Sequence, residues 1–226
     1  MTVSCQAVLF DLDGTLVDSA QDLYRSLNHV LETYSFPILT LDQVRHLIGH
    51  GARQLIARGF WGEEALAPEP GKDERFEAAV GLFLDYYRHH LTDFTRPFDG
   101  VVETLQELSR RKFRLGVVTN KPEHLTHPLL AGLGLDQYFQ VVVGGDTLPQ
   151  RKPDAAPLHH AFATLKANSG VMVGDSETDV QAARAAGCPV IVVPYGYHRG
   201  LGVDQLQADY QVAHFKDILE LVTLYR

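Results

Sequence analysis

The stretch AVLFDLDGTLVDS, residues 7–19, combines a short apolar segment with a closely spaced pair of acids. The uninterrupted apolar run at its start is typical of a strand that is buried on both faces. Asp11 and Asp13 follow this run, ahead of the turn Gly14-Thr15. Side chains two positions apart in extended backbone point to the same side, so both carboxylates can face one small volume. Because close carboxylates repel each other unless a cation or a shared proton relieves them, the pair indicates either a metal and catalytic site or a solvated turn.

The composition limits the class of protein and its partners. The chain has 226 residues, 45% of them hydrophobic and 21% charged, which suits one large or two modest domains. Its formal net charge of −8 argues against nucleic acid and acidic membrane surfaces as partners. Cys5 and Cys188 form no paired-cysteine motif, which fits a reducing compartment. No signal-peptide pattern and no apolar run of about 20 residues is visible. We therefore expect a cytoplasmic protein that binds neither nucleic acid nor a membrane.

Two patterns of hydrophobic spacing divide the chain. Residues 20–91 show helical spacing and no strand, and Ser19 is the predicted N-cap of the first helix. From residue 96 onward short apolar strands alternate with helices, which is typical of a parallel sheet covered by helices. We therefore predict an α/β fold with a Rossmann-like parallel sheet core and an inserted all-helical cap domain. The core comprises residues 1–18 plus 96–226, and the cap comprises residues 19–95.

Polar residues follow the predicted strands of the core. After the first strand at residues 7–10, further strands are predicted at residues 115–118, 140–143, 171–173 and 190–193, and a last helix at residues 215–224. Ligands of open parallel sheets bind beyond the carboxyl ends of the strands. Besides Asp11 and Asp13, the residues with suitable chemistry near these ends are Thr119, Asn120, Lys152, Asp175 and Asp179.

Carboxylates, an ammonium and a hydroxyl would thus meet at one edge of the sheet. Several carboxylates in one place need a hard divalent cation, and oxygen ligands favour Mg²⁺. Lys152 and the Thr119 hydroxyl supply a positive charge and a hydrogen-bond donor that suit phosphate oxygens. A carboxylate nucleophile, a metal ion, a lysine and a hydroxyl are the groups that phosphoryl transfer needs. The strand ends therefore predict a magnesium-dependent site for phosphate esters.

Four segments of the chain resemble the ordered motifs of the haloacid dehalogenase-like hydrolase superfamily. They are DLDGTLVDS, VVTNKP, RKPDAAPL and GDSETDV, and they span nearly the full length. The segments IGHGARQLI, GGDTLPQRKP and PYGYHRG further resemble bacterial phosphoglycolate phosphatases. This resemblance implies the same architecture as the spacing does, a Rossmann-like core with a small helical cap.

The resemblance also implies roles for the residues that handle phosphate. Asp11 would attack phosphorus and carry an aspartyl-phosphate, while Asp13 would protonate the leaving oxygen and later deprotonate water. Thr119 and Lys152 would bind and neutralise the phosphoryl oxygens. Family members that attack carbon lack an acid in the place of Asp13, so its presence favours phosphorus as the target.

A metal site is implied by the same resemblance. Asp11, the backbone carbonyl of Asp13, and Asp175 would hold Mg²⁺. Asp179 would support these ligands without binding the ion itself. The cofactor expected from the sequence is therefore one magnesium ion.

The predicted cap contains candidates for recognition of the substrate. The turn Gly49-His50-Gly51 is either a tight connection between helices or an anion site, in which helix-start amides at Gly51 act with His50 and Arg53. In the core, Asn120 is a further candidate for substrate binding. Lys121 beside it faces either the substrate or solvent.

These expectations describe a Mg²⁺-dependent phosphatase for a small phosphorylated metabolite. The favoured substrate is 2-phosphoglycolate, whose carboxylate would meet the Arg53 guanidinium. The alternatives are a phosphosugar phosphatase, a pyrophosphatase, a β-phosphoglucomutase-like enzyme, or a non-catalytic anion-binding protein on the same fold. The sequence leaves open whether the protein is a monomer or a homodimer.

Overall fold

A six-stranded parallel sheet lies at the centre of the protein in the computed structural model, which describes residues 2–198 and 203–225. The strands of these residues are β1 (Val3–Cys5), β2 (Ala7–Phe10), β3 (Val17–Asp18), β4 (Arg96–Pro97), β5 (Arg114–Val118), β6 (Val141–Val143), β7 (Gly170–Gly174), β8 (Val190–Val192), β9 (Tyr210–Gln211) and β10 (Val222–Leu224). The central sheet has the spatial order β6-β5-β2-β7-β8-β9 with parallel pairing throughout. The predicted α/β fold class is confirmed.

The helices form two groups, one before β4 and one after it. The first group is α1 (Ala20–Thr33), α2 (Leu41–Leu47), α3 (Ala52–Trp61) and α4 (Glu74–His89), which we call the helical cap. The second group is α5 (Val101–Arg110), α6 (Glu123–Gly132), α7 (Ala156–Thr164), α8 (Glu177–Ala186) and α9 (Ile218–Leu221). In the part of the chain that is described, none of the helices is both long enough and apolar enough to cross a bilayer.

The central strand β2 is buried on both faces, as its uninterrupted apolar sequence indicates. Val8 and Phe10 belong to one apolar cluster, together with side chains of α5 and α6. Ala7 and Leu9 belong to a second cluster, with side chains of α7 and α8. Successive side chains of a strand point to opposite faces, so the sheet separates two apolar layers.

The helical cap joins the core through two chain connections that lie side by side. Strands β3 and β4 form an antiparallel ribbon with Val17 opposite Pro97. Asp22 of α1 is fully buried, and its carboxylate accepts hydrogen bonds from the backbone N–H groups of Phe94 and Thr95. The boundaries expected after residues 18 and 95 fall in this ribbon, and the division into two domains stays a prediction.

The C-terminal segment differs from the single helix expected over residues 215–224. The helix α9 ends at Leu221, and β10 follows and pairs in parallel with β1. In this register Val222 lies opposite Val3. The helix prediction was wrong for residues 222–224 because the apolar spacing of this segment suits either element, and only the partner strand β1 decides between them.

Candidate active site

Three buried carboxylates lie together at the carboxyl edge of the sheet. Asp11 follows β2, Asp175 follows the neighbouring strand β7, and Asp179 lies in the first turn of α8. Each offers a carboxylate oxygen within 4.8 Å of those of the other two. The fold places them together because adjacent parallel strands end at one edge and α8 begins directly after β7.

The Lys152 ammonium joins two of these carboxylates. Its Nζ lies 2.9 Å from Asp11 Oδ1 and 2.6 Å from Asp179 Oδ1, in a place closed to solvent. Burial by itself would lower the pKa of Lys152, but the two carboxylates raise that pKa above its ordinary value. Lys152 is therefore a permanent cation at this edge of the sheet.

The buried acids carry more negative charge than Lys152 can balance. Burial raises the pKa of Asp11 to about 6, although the Lys152 charge acts in the opposite direction. Burial, and after it the charges of Asp179 and Asp11, raise the pKa of Asp175 well above its usual range. If all three carboxylates are ionised, they exceed the single Lys152 charge by two, and burial together with this excess raises the two pKa values. These oxygen donors fit a hard divalent cation, whose charge would balance that excess.

Two loops that are distant in the sequence, one with Thr15 and one with Tyr197, hold the Asp175 carboxylate. The Thr15 hydroxyl donates to Oδ1 at 2.9 Å, and the backbone N–H of Tyr197 donates to Oδ2 at 2.6 Å. Both loops approach closely because they contain glycine: a Cβ on Gly14 would lie 2.3 Å from Asp175 Oδ2, and one on Gly196 would lie 2.1 Å from Asp175 Cβ. Gly14 also has a φ of +89°, which other residues adopt only with strain.

Asp179 holds the loop between β7 and α8. Its Oδ2 accepts hydrogen bonds from the backbone N–H of Asp175 at 3.2 Å, from that of Ser176 at 3.1 Å and from the Ser176 hydroxyl at 2.7 Å. Its Oδ1 accepts from Lys152. Since both oxygens have partners in the protein, Asp179 is well placed to orient Asp175 and Lys152.

Thr119 and Asn120 follow β5 and are buried beside the acids. The Thr119 oxygen accepts a hydrogen bond from the backbone N–H of Lys121 at 3.2 Å, so its own proton can be donated elsewhere. The Asn120 side-chain amide donates to the carbonyl oxygens of Gly49 and Lys152, both at 3.1 Å. Asn120 thus connects the end of β5 to the helical cap and to the Lys152 loop.

The carboxylate of Asp13 pairs with Lys121. The Lys121 Nζ lies 2.9 Å and 3.0 Å from the two Asp13 oxygens, and the Ser19 hydroxyl donates to Asp13 Oδ1 at 2.6 Å. The same Nζ lies 2.6 Å from the Tyr87 hydroxyl oxygen, which α4 of the helical cap provides. The Lys121 side chain is only 3% exposed. The sequence left two orientations open for Lys121, toward the substrate or toward solvent, and the structure rules out the orientation toward solvent.

Tyr197 connects the Asp175 loop to the start of the helical cap. Ser19 occupies the predicted N-cap position of α1, but its hydroxyl forms no cap bond. Tyr197 Oη accepts hydrogen bonds instead from the backbone N–H groups of Ser19 and Ala20, at 2.9 Å and 3.0 Å, and donates to Asp18 Oδ1 at 2.8 Å. The segment PYGYHRG therefore has a structural role as far as His198; its Arg199 and Gly200 lie outside the described residues.

A cavity of about 40 Å³ lies between the carboxyl edge of the sheet and the helical cap. Its polar lining comes from Asp11, Asp13, Tyr87, Thr119, Asn120 and Lys121, and much of its apolar lining from Leu23, Ile48, Leu55, Phe83 and Leu125. Among these lining residues of the described chain, Lys121 has the one cationic side chain. The cavity thus combines the nucleophile candidate Asp11 with a single positive charge in apolar surroundings.

The glycines of the turn at residues 49–51 line this cavity, but His50 between them does not. Gly51 lines it, and a Cβ at this position would lie 3.1 Å from the backbone oxygen of Asn120. His50 lines a second cavity beside Ser176, and its Nδ1 lies 3.4 Å from an Arg58 guanidinium nitrogen. The structure brings Gly51 to the acids but does not bring the His50 side chain there.

Arg53 bonds within the helical cap instead of facing the cavity. Its two terminal nitrogens donate to the Glu77 carboxylate at 2.7 Å and 2.9 Å, and one of them also donates to the Pro68 carbonyl at 2.9 Å. The guanidinium lies over the Phe76 ring, 5.2 Å from its centroid. The structure therefore does not place Arg53 at the expected anion site, because Glu77 already binds both ends of the guanidinium.

Sequence reasoning missed Tyr87, Ser19 and the hydroxyl of Tyr197 as parts of the site. Tyr87 carries no signal, because its apolar spacing in α4 is that of a core residue. Burial, together with the charges of Asp13 and Asp22, raises the pKa of Tyr87 well above its usual value, so its hydroxyl keeps its proton. The two tyrosines of PYGYHRG are noticeable in the sequence, but the sequence does not indicate which groups their hydroxyls bind.

Similarity to known proteins agrees with this arrangement of residues. A family model described as haloacid dehalogenase-like hydrolase matches residues 8–193. The chain is 41% identical over 221 residues to the phosphoglycolate phosphatase of Thiobacillus denitrificans, a match that covers 96% of both chains. It is 43% identical over 194 residues to the phosphoglycolate phosphatase of Agrobacterium fabrum, covering 84% of this chain and 80% of the other.

A solved structure gives the same result for the fold. The crystal structure of a protein from Haemophilus somnus, described as a predicted phosphoglycolate phosphatase, superimposes with a TM-score of 0.87 at 34% identity. The superposition covers 95% of this chain and 96% of that one. The similarity therefore extends over the sheet and the helical cap together.

Proposed function

We propose that this chain, which belongs to the haloacid dehalogenase-like hydrolase family, is a Mg²⁺-dependent phosphatase that hydrolyses 2-phosphoglycolate through an aspartyl-phosphate. The observation that carries the proposal is the buried group of Asp11, Asp175 and Asp179, with Lys152 bonded to Asp11. Its relatives in Thiobacillus denitrificans and Agrobacterium fabrum, which bear the name of this activity, support the choice of substrate.

In the proposed reaction Asp11 is the nucleophile. One of its oxygens forms a bond to phosphorus while the ester bond between phosphorus and the glycolate oxygen breaks. Lys152, 2.9 Å from Asp11 Oδ1, fixes the orientation of the carboxylate and neutralises charge on the phosphoryl oxygens, to which the Thr119 hydroxyl donates.

Asp13 moves the protons of both half-reactions. Its carboxyl group gives a proton to the departing ester oxygen, so that glycolate leaves as the alcohol. The same carboxylate then takes a proton from the water molecule that attacks the aspartyl-phosphate, which releases phosphate and regenerates Asp11. The Ser19 hydroxyl, which donates to Asp13 Oδ1, keeps this carboxyl group beside the cavity.

Magnesium would be held by Asp11, the backbone carbonyl of Asp13 and Asp175, with Asp179 in support. When bound, it supplies positive charge to the phosphoryl oxygens beside that of Lys152. Thr15 and Tyr197 orient Asp175 for this role through the hydrogen bonds to its two oxygens.

Side chains of the helical cap, among them Leu23, Leu55 and Phe83, line the cavity in which the leaving group would lie. The cap is therefore the part of the protein that we expect to limit the size of the leaving group. We further propose that the protein acts in the cytoplasm, as a monomer or a homodimer.

A panel of phosphate esters tests the proposal. With Mg²⁺ present, we expect kcat/KM to be higher for 2-phosphoglycolate than for phosphosugars, pyrophosphate or p-nitrophenyl phosphate. Chelation should remove the activity and Mg²⁺ should restore it, while Ca²⁺ should inhibit because its larger, looser set of ligands misplaces the reacting groups. Preference for a phosphosugar, or full activity in excess EDTA, would contradict the proposal. Turnover of no ester would indicate an anion-binding protein.

A further inference from the structure

Lys121 is a buried cation whose bonding partners face the cavity. Its ammonium has three N–H groups, and the structure shows three oxygens around it: both carboxylate oxygens of Asp13 and the Tyr87 hydroxyl. The Nζ also lies over the Tyr87 ring, 4.5 Å from its centroid. Asp13 is therefore the anion that balances the Lys121 charge in this structure.

Asp13 cannot keep this arrangement during the proposed reaction. A carboxyl group that contacts the ester oxygen of the substrate uses at least one of its two oxygens there. One N–H of Lys121 then loses its acceptor in a place that is almost closed to water, where an unpaired charged donor is costly. The reaction thus requires another acceptor for Lys121, next to the ester oxygen.

We propose that Lys121 selects the substrate by binding the carboxylate of the leaving group, an inference that rests on the proposed function. In a small 2-phosphoxy carboxylic acid, one carbon atom separates the ester oxygen from the carboxylate. Asp13 and Lys121 are likewise in direct contact, at 2.9 Å. One of them can therefore meet the ester oxygen while the other meets the carboxylate.

Tyr87 provides a second donor for the same carboxylate. Lys121 donates to the hydroxyl oxygen of Tyr87 at 2.6 Å, which leaves the phenolic proton to be donated. Tyr87 belongs to α4, so the helical cap takes part in recognition through this hydroxyl. The remaining lining is mainly apolar, and a neutral leaving group would leave the Lys121 charge unbalanced.

Arg53, the other cation considered for binding the substrate carboxylate, is not in a position to bind it. Its guanidinium is bonded to Glu77 at both ends and does not line the cavity. Binding of a substrate carboxylate to Arg53 would require breaking that ion pair. Lys121 needs only the rearrangement of Asp13 that the chemistry itself requires.

Two substrates that differ only in the carboxylate test the inference. The substrates are 2-phosphoglycolate and 2-hydroxyethyl phosphate, whose chain has the same length but no charge on the leaving group. In Lys121→Met, the preference for 2-phosphoglycolate, measured as the ratio of the two kcat/KM values, should fall by about 10- to 100-fold. The inhibition constant of the product glycolate should rise to a similar extent, and that constant does not depend on proton transfer by Asp13.

Two further variants separate the possible roles. Arg53→Met is the matched removal of a cation from the helical cap and should leave the substrate ratio as in the wild type. If Lys121→Met does not fold, Tyr87→Phe removes the second donor and should reduce the preference several-fold. Equal losses for both substrates with unchanged glycolate inhibition would show that Lys121 acts only on Asp13. A substrate ratio that falls in Arg53→Met but not in Lys121→Met would assign recognition of the carboxylate to Arg53. Either result overturns the inference, whereas failure of the wild type to hydrolyse any phosphate ester would refute the proposed function itself.

Discussion

The Tyr197 hydroxyl offers a direct test of how the helical cap is fixed to the core. It accepts hydrogen bonds from two backbone N–H groups at the start of α1 and donates one to Asp18. Tyr197→Phe removes the oxygen and keeps the ring. The N–H of Ala20 retains an acceptor, Asp18 Oδ1 at 3.2 Å, but the buried N–H of Ser19 loses the hydroxyl acceptor.

The expected loss of stability follows from these three bonds. A buried donor left without a partner costs about 1–3 kcal/mol. The bond to Asp18, which is partly open to water and can be replaced by it, adds about 0.5–1 kcal/mol. We therefore expect the free energy of unfolding to fall by about 3 kcal/mol, which for a protein of this size lowers Tm by about 6–12 °C.

The neighbouring tyrosine serves as the matched control. The Tyr195 hydroxyl makes one hydrogen bond, to the carbonyl oxygen of Thr15 at 3.0 Å. Tyr195→Phe should therefore cost only about 1 kcal/mol, or about 2–4 °C in Tm. Both variants are compared with the wild type by calorimetry under one buffer condition. A Tm loss in Tyr197→Phe no larger than that in Tyr195→Phe would refute this account of the cap connection.

Two further predictions concern packing and pH. Gly116→Ala should destabilise the protein by about 1–3 kcal/mol, because the new Cβ would lie 2.6 Å from Val141 Cγ1 and 2.9 Å from Leu9 Cδ2. Gly81→Ala, in open space on α4, should stabilise the protein by up to about 1 kcal/mol. Urea unfolding that ranks the two variants in the reverse order would contradict this description of the sheet. The hydrogen bonds from Arg53 and from the Gly71 backbone lower the pKa of Glu77 from 4.5 to about 2, so the ionised group stabilises the helical cap above pH 4.5 and this contribution is lost as the pH falls toward 2. The Tm difference between the wild type and Glu77→Gln should therefore shrink on acidification from pH 6 to pH 3.5, and a difference that grows would contradict the assignment.

The position of the acids could be anticipated from the sequence because it depends on the fold alone. The apolar runs before Asp11 and Asp175 mark strands that are buried on both faces, and parallel strands end at a common edge. Asp179 is four residues beyond Asp175, in the first turn of the following helix. No knowledge of side-chain orientation is needed for these placements.

The surroundings of Asp13 could not be anticipated in the same way. The contact between Lys121 and Tyr87 joins the core to a helix that is distant in the sequence, and it depends on which face of α4 turns toward the sheet. The position of Arg53 depends likewise on Glu77, which lies in a different helix of the cap. The strand β10 depends on pairing with β1 at the opposite end of the chain. Each of these features is a long-range contact that no local pattern encodes.

The central claim, that Asp11 is the nucleophile of a phosphatase, is tested most directly by trapping the covalent intermediate. Wild-type protein with Mg²⁺ is mixed with 2-phosphoglycolate carrying a radiolabelled phosphoryl group and quenched in acid within one turnover. The account predicts an acyl-phosphate that hydroxylamine removes and that peptide mapping assigns to Asp11, with neither label nor turnover in Asp11→Asn. Label on another residue, or an Asp11→Asn variant whose kcat lies within about tenfold of the wild type, would contradict it.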